Sequence, residues 1–133
     1  MLIYPDACIL IYLVEGHPIL CPRIEATLRG AANITFGLSE LLRMECRVGP
    51  MRTANASLLA RFDRVFSATG HRFLDVSRQA FELATELRAH NGLKVPDALH
   101  LATAIKSGCD QFWTNDRHLE KAANGRIAIV AFN

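Results

Sequence analysis

Short apolar runs with strand character recur along this chain, and segments with helical periodicity separate them. This alternation limits the fold more than any other feature. Met1–Tyr4 (MLIY), Asn33–Phe36 (NITF), Arg72–Val76 (RFLDV), Gln111–Thr114 (QFWT) and Ile127–Ala131 (IAIVA) read as strands. Helices are expected over Ala7–Val14, Pro22–Arg29, Leu38–Val48, Ala54–Ser67, Arg78–His90, Pro96–Lys106 and Arg117–Ala123. Asp6 and Ser77 are good N-caps, Gly16, Gly30, Gly92 and Gly108 follow periodic segments, and Gly49-Pro50 punctuates the third helix. Strands joined through helices lie mostly parallel, so the expected fold is α/β: a five-stranded sheet with helices on both faces.

The size suits one domain over residues 1–133, and a chain that is 50% hydrophobic can bury a core without disulfides. The four cysteines form no C-x-x-C pair and read as small buried hydrophobes in a reducing cytosol. Asp6 and the lack of a basic leader argue against a signal peptide, and no apolar run approaches the ~20 residues of a membrane span. A cytoplasmic, non-membrane protein is expected. The net charge of +2 does not single out a nucleic-acid binder. Its distribution says more, because Arg43, Arg47, Arg52, Arg61 and Arg64 fall close together and arginine suits phosphate contacts.

Parallel sheets take ligands outside the carboxyl ends of their strands. Asp6 follows the first strand and Asp116 the fourth, so both are expected at one sheet edge. Several acids there repel one another and are costly to desolvate together; a hard divalent cation removes that conflict. Glu45 sits among Leu41, Leu42, Met44 and Val48 near a predicted core face, where an unpaired carboxylate is expensive. Asp97 lies in the first turn of its helix, where it serves equally well as a ligand or as a charge on the helix dipole. Mg²⁺ held by such acids activates water for attack on a phosphodiester without a catalytic Ser, Cys or His. The chain has no nucleophile elbow, glycine-rich phosphate loop or H-E-x-x-H pair.

Four segments carry a family resemblance. Met-Leu-Ile-Tyr-Pro-Asp-Ala-Cys-Ile-Leu-Ile-Tyr-Leu (1–13) resembles the opening strand and helix of a PIN domain. Leu-Leu-Arg-Met-Glu-Cys-Arg-Val-Gly-Pro (41–50) is similar to the segment with the family's glutamate, Pro-Asp-Ala-Leu-His-Leu-Ala-Thr-Ala (96–104) to its most recognisable motif, and Phe-Trp-Thr-Asn-Asp (112–116) to its fourth. They occur in the family's order over nearly the whole chain. The small size points to VapC-type toxins of toxin–antitoxin pairs. The resemblance implies Asp6, Glu45, Asp97 and Asp116 as metal-binding acids and a Mg²⁺- or Mn²⁺-dependent endoribonuclease leaving a 5′-phosphate and a 3′-hydroxyl. It also implies a homodimer held inactive by a VapB-like antitoxin. Pro5 departs from the pattern: proline cannot donate to a ladder, so the geometry at Asp6 is expected to differ slightly.

Neighbouring residues divide by their surroundings. Glu45 is preferred to Glu40, which reads as a helix-start acid. Thr114 and Asn115 flank Asp116 and are candidates for orienting a carboxylate or a ligand water. Arg43, Arg47 and Arg52 are candidate RNA contacts, with a solvated helix face as the equal alternative. Asp110 is expected at the opposite sheet end in a turn, as is Asp75 at a strand end. His100 is expected to be packed and locally hydrogen-bonded, and Trp113 to be core. Two rival functions stay open: a PIN scaffold that binds RNA or antitoxin without cutting, and a metal-dependent DNA nuclease. A phosphatase is weakened because no D-x-D follows the first strand.

Overall fold

A computed structural model describes residues 1–133. The elements run β1 (Leu2–Pro5), α1 (Ala7–Glu15), α2 (Leu20–Arg29), β2 (Thr35–Leu38), α3 (Glu40–Arg52) and α4 (Ala56–Ser67). They continue through β3 (Arg72–Phe73), α5 (Arg78–Asn91), α6 (Val95–Lys106), β4 (Gln111–Thr114), α7 (Leu119–Ala123) and β5 (Ala128–Ala131). The strands form one sheet in the order β3-β2-β1-β4-β5, and every pairing is parallel. The expected α/β architecture is present, with a sheet that is wholly rather than mostly parallel.

Alternation along the strands divides the interior into two cores. Tyr4 and Phe112 face the larger one, with Leu42, Phe62, Leu83, Leu101 and Leu119 from α3 to α7. Ile3 and Trp113 face the smaller one, with Ile9 of α1, Ile24 of α2 and Phe132. Each large apolar side chain buried this way contributes about 1.5–3 kcal/mol. Helices therefore cover both faces, and Trp113 is a core residue, 1% exposed. No single helix is long and apolar enough to cross a membrane.

Three local departures from the sequence pattern have physical causes. The third helix runs through Gly49-Pro50 to Arg52. Pro50 lacks only the N–H that would reach Cys46, its ring is buried, and the helix ends two residues later, so the penalty is confined to the last turn. β2 lies two residues later than read, because the ladder to β3 uses Gly37 and Leu38. Gly37 sits where an added Cβ would stand 2.6 Å from Leu74 Cδ1, so it marks close packing rather than a break. Pro5 is the last residue of β1, yet the Asp6 N–H still bonds the Trp113 carbonyl at 2.8 Å. N–H groups alternate sides along a strand, so the donor that Pro5 lacks faces β2, beyond the last register pair Ile3↔Phe36. The ladder on Asp6's own side is intact.

Candidate active site

Because the strands are parallel, the chain leaves β1, β2 and β4 at the same sheet edge. β1 delivers Asp6 there as the N-cap of α1, its Oδ1 accepting from the Ala7 N–H at 2.8 Å. β4 delivers Thr114, whose hydroxyl donates to Asp6 Oδ2 at 3.2 Å. The same hydroxyl accepts from the Asp116 N–H at 3.2 Å, so one fully buried side chain ties both aspartates. Asp116 is half-buried, and its Oδ1 receives the N–H and Nδ1 of His118, each at 2.9 Å.

β2 leads directly into Ser39, which caps α3 by accepting from the Leu42 N–H at 3.2 Å. α3 then carries Glu45 on the face turned to α6, where Oε1 meets His100 Nε2 at 2.6 Å. His100 is fully buried and its Nδ1 lies 2.7 Å from the Tyr4 hydroxyl. Tyr4 in turn meets Ser39 Oγ at 2.8 Å. The expectation of a packed histidine holds, but its partners lie on β1 and α3 rather than nearby in sequence. Asp97 sits in the first turn of α6, one turn before His100, and is half-buried.

The electrostatics link all four acids. Burial pushes the Asp6 carboxyl above its usual range; His100, the Ala7 N–H and Thr114 oppose the shift, and Glu45 adds to it. Burial also raises Asp97, and the charges of Asp6, Asp116 and Glu45 raise it further, against His100. Asp97 thus feels each of the other three carboxylates. Tyr4 is pushed far up by burial, so it remains a phenol.

The other candidates separate clearly. Asn115 donates to the Tyr12 hydroxyl at 2.8 Å and turns from the acids toward α1. Glu40 is exposed and pairs with Arg43 at 3.7 Å. Arg47 Nε is held by Asp63 Oδ1 at 3.0 Å on α4, while Arg52 is exposed in the last turn of α3. Asp110 stands at the opposite end of the sheet, where its Oδ2 accepts from the Leu2 N–H at 2.7 Å. The cysteines are free, and burial raises Cys8 and Cys46 to about 12, which leaves them unreactive thiols. Sequence reasoning missed the Ser39–Tyr4–His100 chain. Its one legible trace was His100 at three residues from Asp97 on the same helix face. Nothing in a strand sequence announces that Tyr4 points at residues 39 and 100.

Residues 3–125 match the family model described as PIN domain. This chain belongs to the PIN domain family. No curated protein matches it by sequence. Among solved structures, the fold of this PIN domain is similar to the VapBC2 complex of Rickettsia felis bound to a promoter DNA fragment, at TM-score 0.75 and 18% identity over 100% of both chains. It is also similar to a toxin–antitoxin complex from Klebsiella pneumoniae, at TM-score 0.71 and 24% identity over 98% of this chain and 97% of the other. A third is Mycobacterium tuberculosis VapC20, described as a toxin cleaving the sarcin–ricin loop, at TM-score 0.74 and 17% identity over 90% of this chain and 94% of that one.

The donor chemistry of the PIN domain's acidic edge fits a hard cation. Its acids supply oxygen only, and two of them carry raised proton affinity, chiefly through burial and further through neighbouring carboxylates. No three acid, histidine or cysteine side chains converge on one point at ligand distance. A cation held by these acids would therefore keep water among its ligands, as Mg²⁺ does.

Proposed function

We propose that this PIN domain is a Mg²⁺- or Mn²⁺-dependent endoribonuclease, a VapC-like toxin of a type II toxin–antitoxin pair. The observation that carries the reading is the mutual electrostatic exposure of Asp6, Glu45, Asp97 and Asp116 at one sheet edge, two of them raised by burial and by one another. Such a cluster is poorly stable until a cation neutralises it. The solved relatives support the toxin class, since several are toxin–antitoxin complexes and one is described as an RNA-cleaving toxin.

Asp6, Glu45, Asp97 and Asp116 would hold the cation. Bound there, it supplies charge neutralisation at the scissile phosphate and acidifies a water. The chain's own residues set the stage for that. Thr114 restrains Asp6, and His118 engages one oxygen of Asp116 while leaving the other free of side-chain bonds. His100 restrains Glu45. Asp97 sits at the positive end of α6, which favours its ionised form against its neighbours. Of the three arginine candidates, Arg52 is the one free of a carboxylate partner and is proposed as an RNA phosphate contact. Partners under this reading are RNA, a VapB-like antitoxin and a second copy of the chain.

The test is cleavage of defined RNAs by purified protein with Mg²⁺ or Mn²⁺, with EDTA, and with Asp97→Asn. Metal-dependent cutting that EDTA and the substitution abolish is the expected result. Equal cleavage by wild type and variant, indifferent to chelator, overturns the proposal, and a preference for DNA over RNA moves it to a DNA nuclease.

A further inference from the structure

We infer that Ser39, Tyr4 and His100 form a buried relay of hydrogen bonds with a fixed direction, and that Tyr4 and His100 are positioning residues that aim the Glu45 carboxylate. The inference rests on the proposed role of Glu45 in holding a cation, and goes beyond it by naming what places that group.

Direction follows from the two ends. The Leu42 N–H can only donate, and it points at Ser39 Oγ. An ionised Glu45 can only accept, so the His100 Nε2 that stands 2.6 Å from it must carry a hydrogen. Complete burial disfavours the charged ring, and in the neutral ring Nδ1 is a bare acceptor, to which the Tyr4 O–H donates across 2.7 Å. Tyr4's oxygen, with its proton so committed, accepts from the Ser39 O–H at 2.8 Å. Every donor and acceptor is used once in this order. Reversing it sends the Tyr4 proton to Ser39, whose own proton then has neither of its two neighbours, an N–H and a donating phenol, to accept it. All three side chains are 0% exposed, so water cannot repair the mismatch. One tautomer of His100 is thereby selected from a backbone amide four side chains away from the site edge.

The relay also spans the elements that bear the acids. Tyr4 lies on β1 two residues before Asp6, Ser39 starts α3, and His100 is one turn beyond Asp97 on α6. Tyr4 cannot swing out of line, because its ring stacks on Phe112 with centroids 5.5 Å apart and planes 7° apart. Glu45 itself is 28% exposed and would otherwise choose among rotamers; the buried imidazole removes that freedom.

Glutamine and asparagine at position 100 separate positioning from mere core filling. A Gln amide nitrogen reaches the place of Nε2 and keeps the donor to Glu45, whereas Asn reaches only the place of Nδ1. Mn²⁺ affinity is measured by calorimetry on wild type, His100→Gln, His100→Asn, Tyr4→Phe and Asp97→Asn, with circular dichroism and Tm on each. The tautomer of metal-free protein is read from imidazole ¹⁵N NMR. The expected results are an Nε2–H tautomer in wild type that Tyr4→Phe disturbs, and Mn²⁺ binding about 10-fold weaker in His100→Asn than in His100→Gln at similar Tm. An Nδ1–H tautomer in wild type, or equal Mn²⁺ affinity for the Asn and Gln variants, overturns the inference. Folded wild type that binds no Mn²⁺ overturns the metal reading instead, and the tautomer measurement still decides the relay.

Discussion

Replacing Thr114 by valine deletes one hydroxyl while nearly preserving side-chain shape. That hydroxyl is wholly buried, donates to Asp6 Oδ2 at 3.2 Å and accepts from the Asp116 N–H at 3.2 Å. A bond to a charged group contributes about 1.5–3 kcal/mol and a neutral one about 0.5–1.5 kcal/mol. Both bonds are long for their type, so the bottom of each interval applies and the expected loss is about 2 kcal/mol. For a chain of this length that lowers Tm by roughly 6–10 °C. The loss carries a pH signature. Asp6 already sits above its usual range in the fold, chiefly through burial, and the Thr114 bond holds it down. The folded state therefore keeps a proton that the unfolded chain has released, and this group's contribution to stability falls as pH rises from the ordinary carboxylate value through the raised one. Valine raises Asp6 further, so the gap between variant and wild type is small where Asp6 is protonated in both states and full above the variant's raised value. Calorimetric melts at a series of pH values, in EDTA, with Thr114→Ser as the hydroxyl-restoring control, read this directly. A Tm loss under 2 °C at neutral pH, or one that ignores pH, refutes the argument.

Asp97→Asn removes a charge that burial and three neighbouring carboxylates disfavour, so in EDTA at neutral pH it should melt above wild type. The gain, discounted for solvent at a half-buried group, is on the order of 1 kcal/mol and vanishes as pH falls below the ordinary carboxylate range; a variant no more stable than wild type counts against the cluster. Arg52→Ala should weaken RNA binding and reduce the slope of log affinity against log salt by about 1, whereas Arg47→Ala, whose guanidinium is engaged by Asp63, should leave that slope unchanged. Salt titrations of Kd that show the opposite ranking would move the RNA path off the end of α3.

Much of the fold was legible because its signals are local. Alternating periodicity placed the sheet and helices, and Gln111–Thr114 was read at its observed bounds. Boundaries slipped where a residue's local tendency met tertiary packing: Pro50 reads as a stop, yet it is buried and retained in α3, and the strand read as ending at Phe36 runs on through Gly37, where Leu74 packs close. For the site, the strand-end rule put Asp6 and Asp116 on one edge, and the structure adds the hydroxyl that ties them. The burial argument for Glu45 asked for a partner and could not name it, since His100 is 55 positions away. Long-range pairs of polar side chains leave no periodic trace, so the relay was beyond reach of spacing alone.

The Thr114–Asp6 bond joins positions 108 apart, and β1 lies between β2 and β4. Synthesis runs from the N-terminus at ~5–20 residues per second, so Asp6, Glu45 and Asp97 are all translated before the strand that completes their edge. Until residues beyond Asp116 have cleared the ribosome, the central strand has only one neighbour and the fourth carboxylate is missing. By the order of its strands alone, the acidic edge is completed last, when the fourth strand docks beside the first.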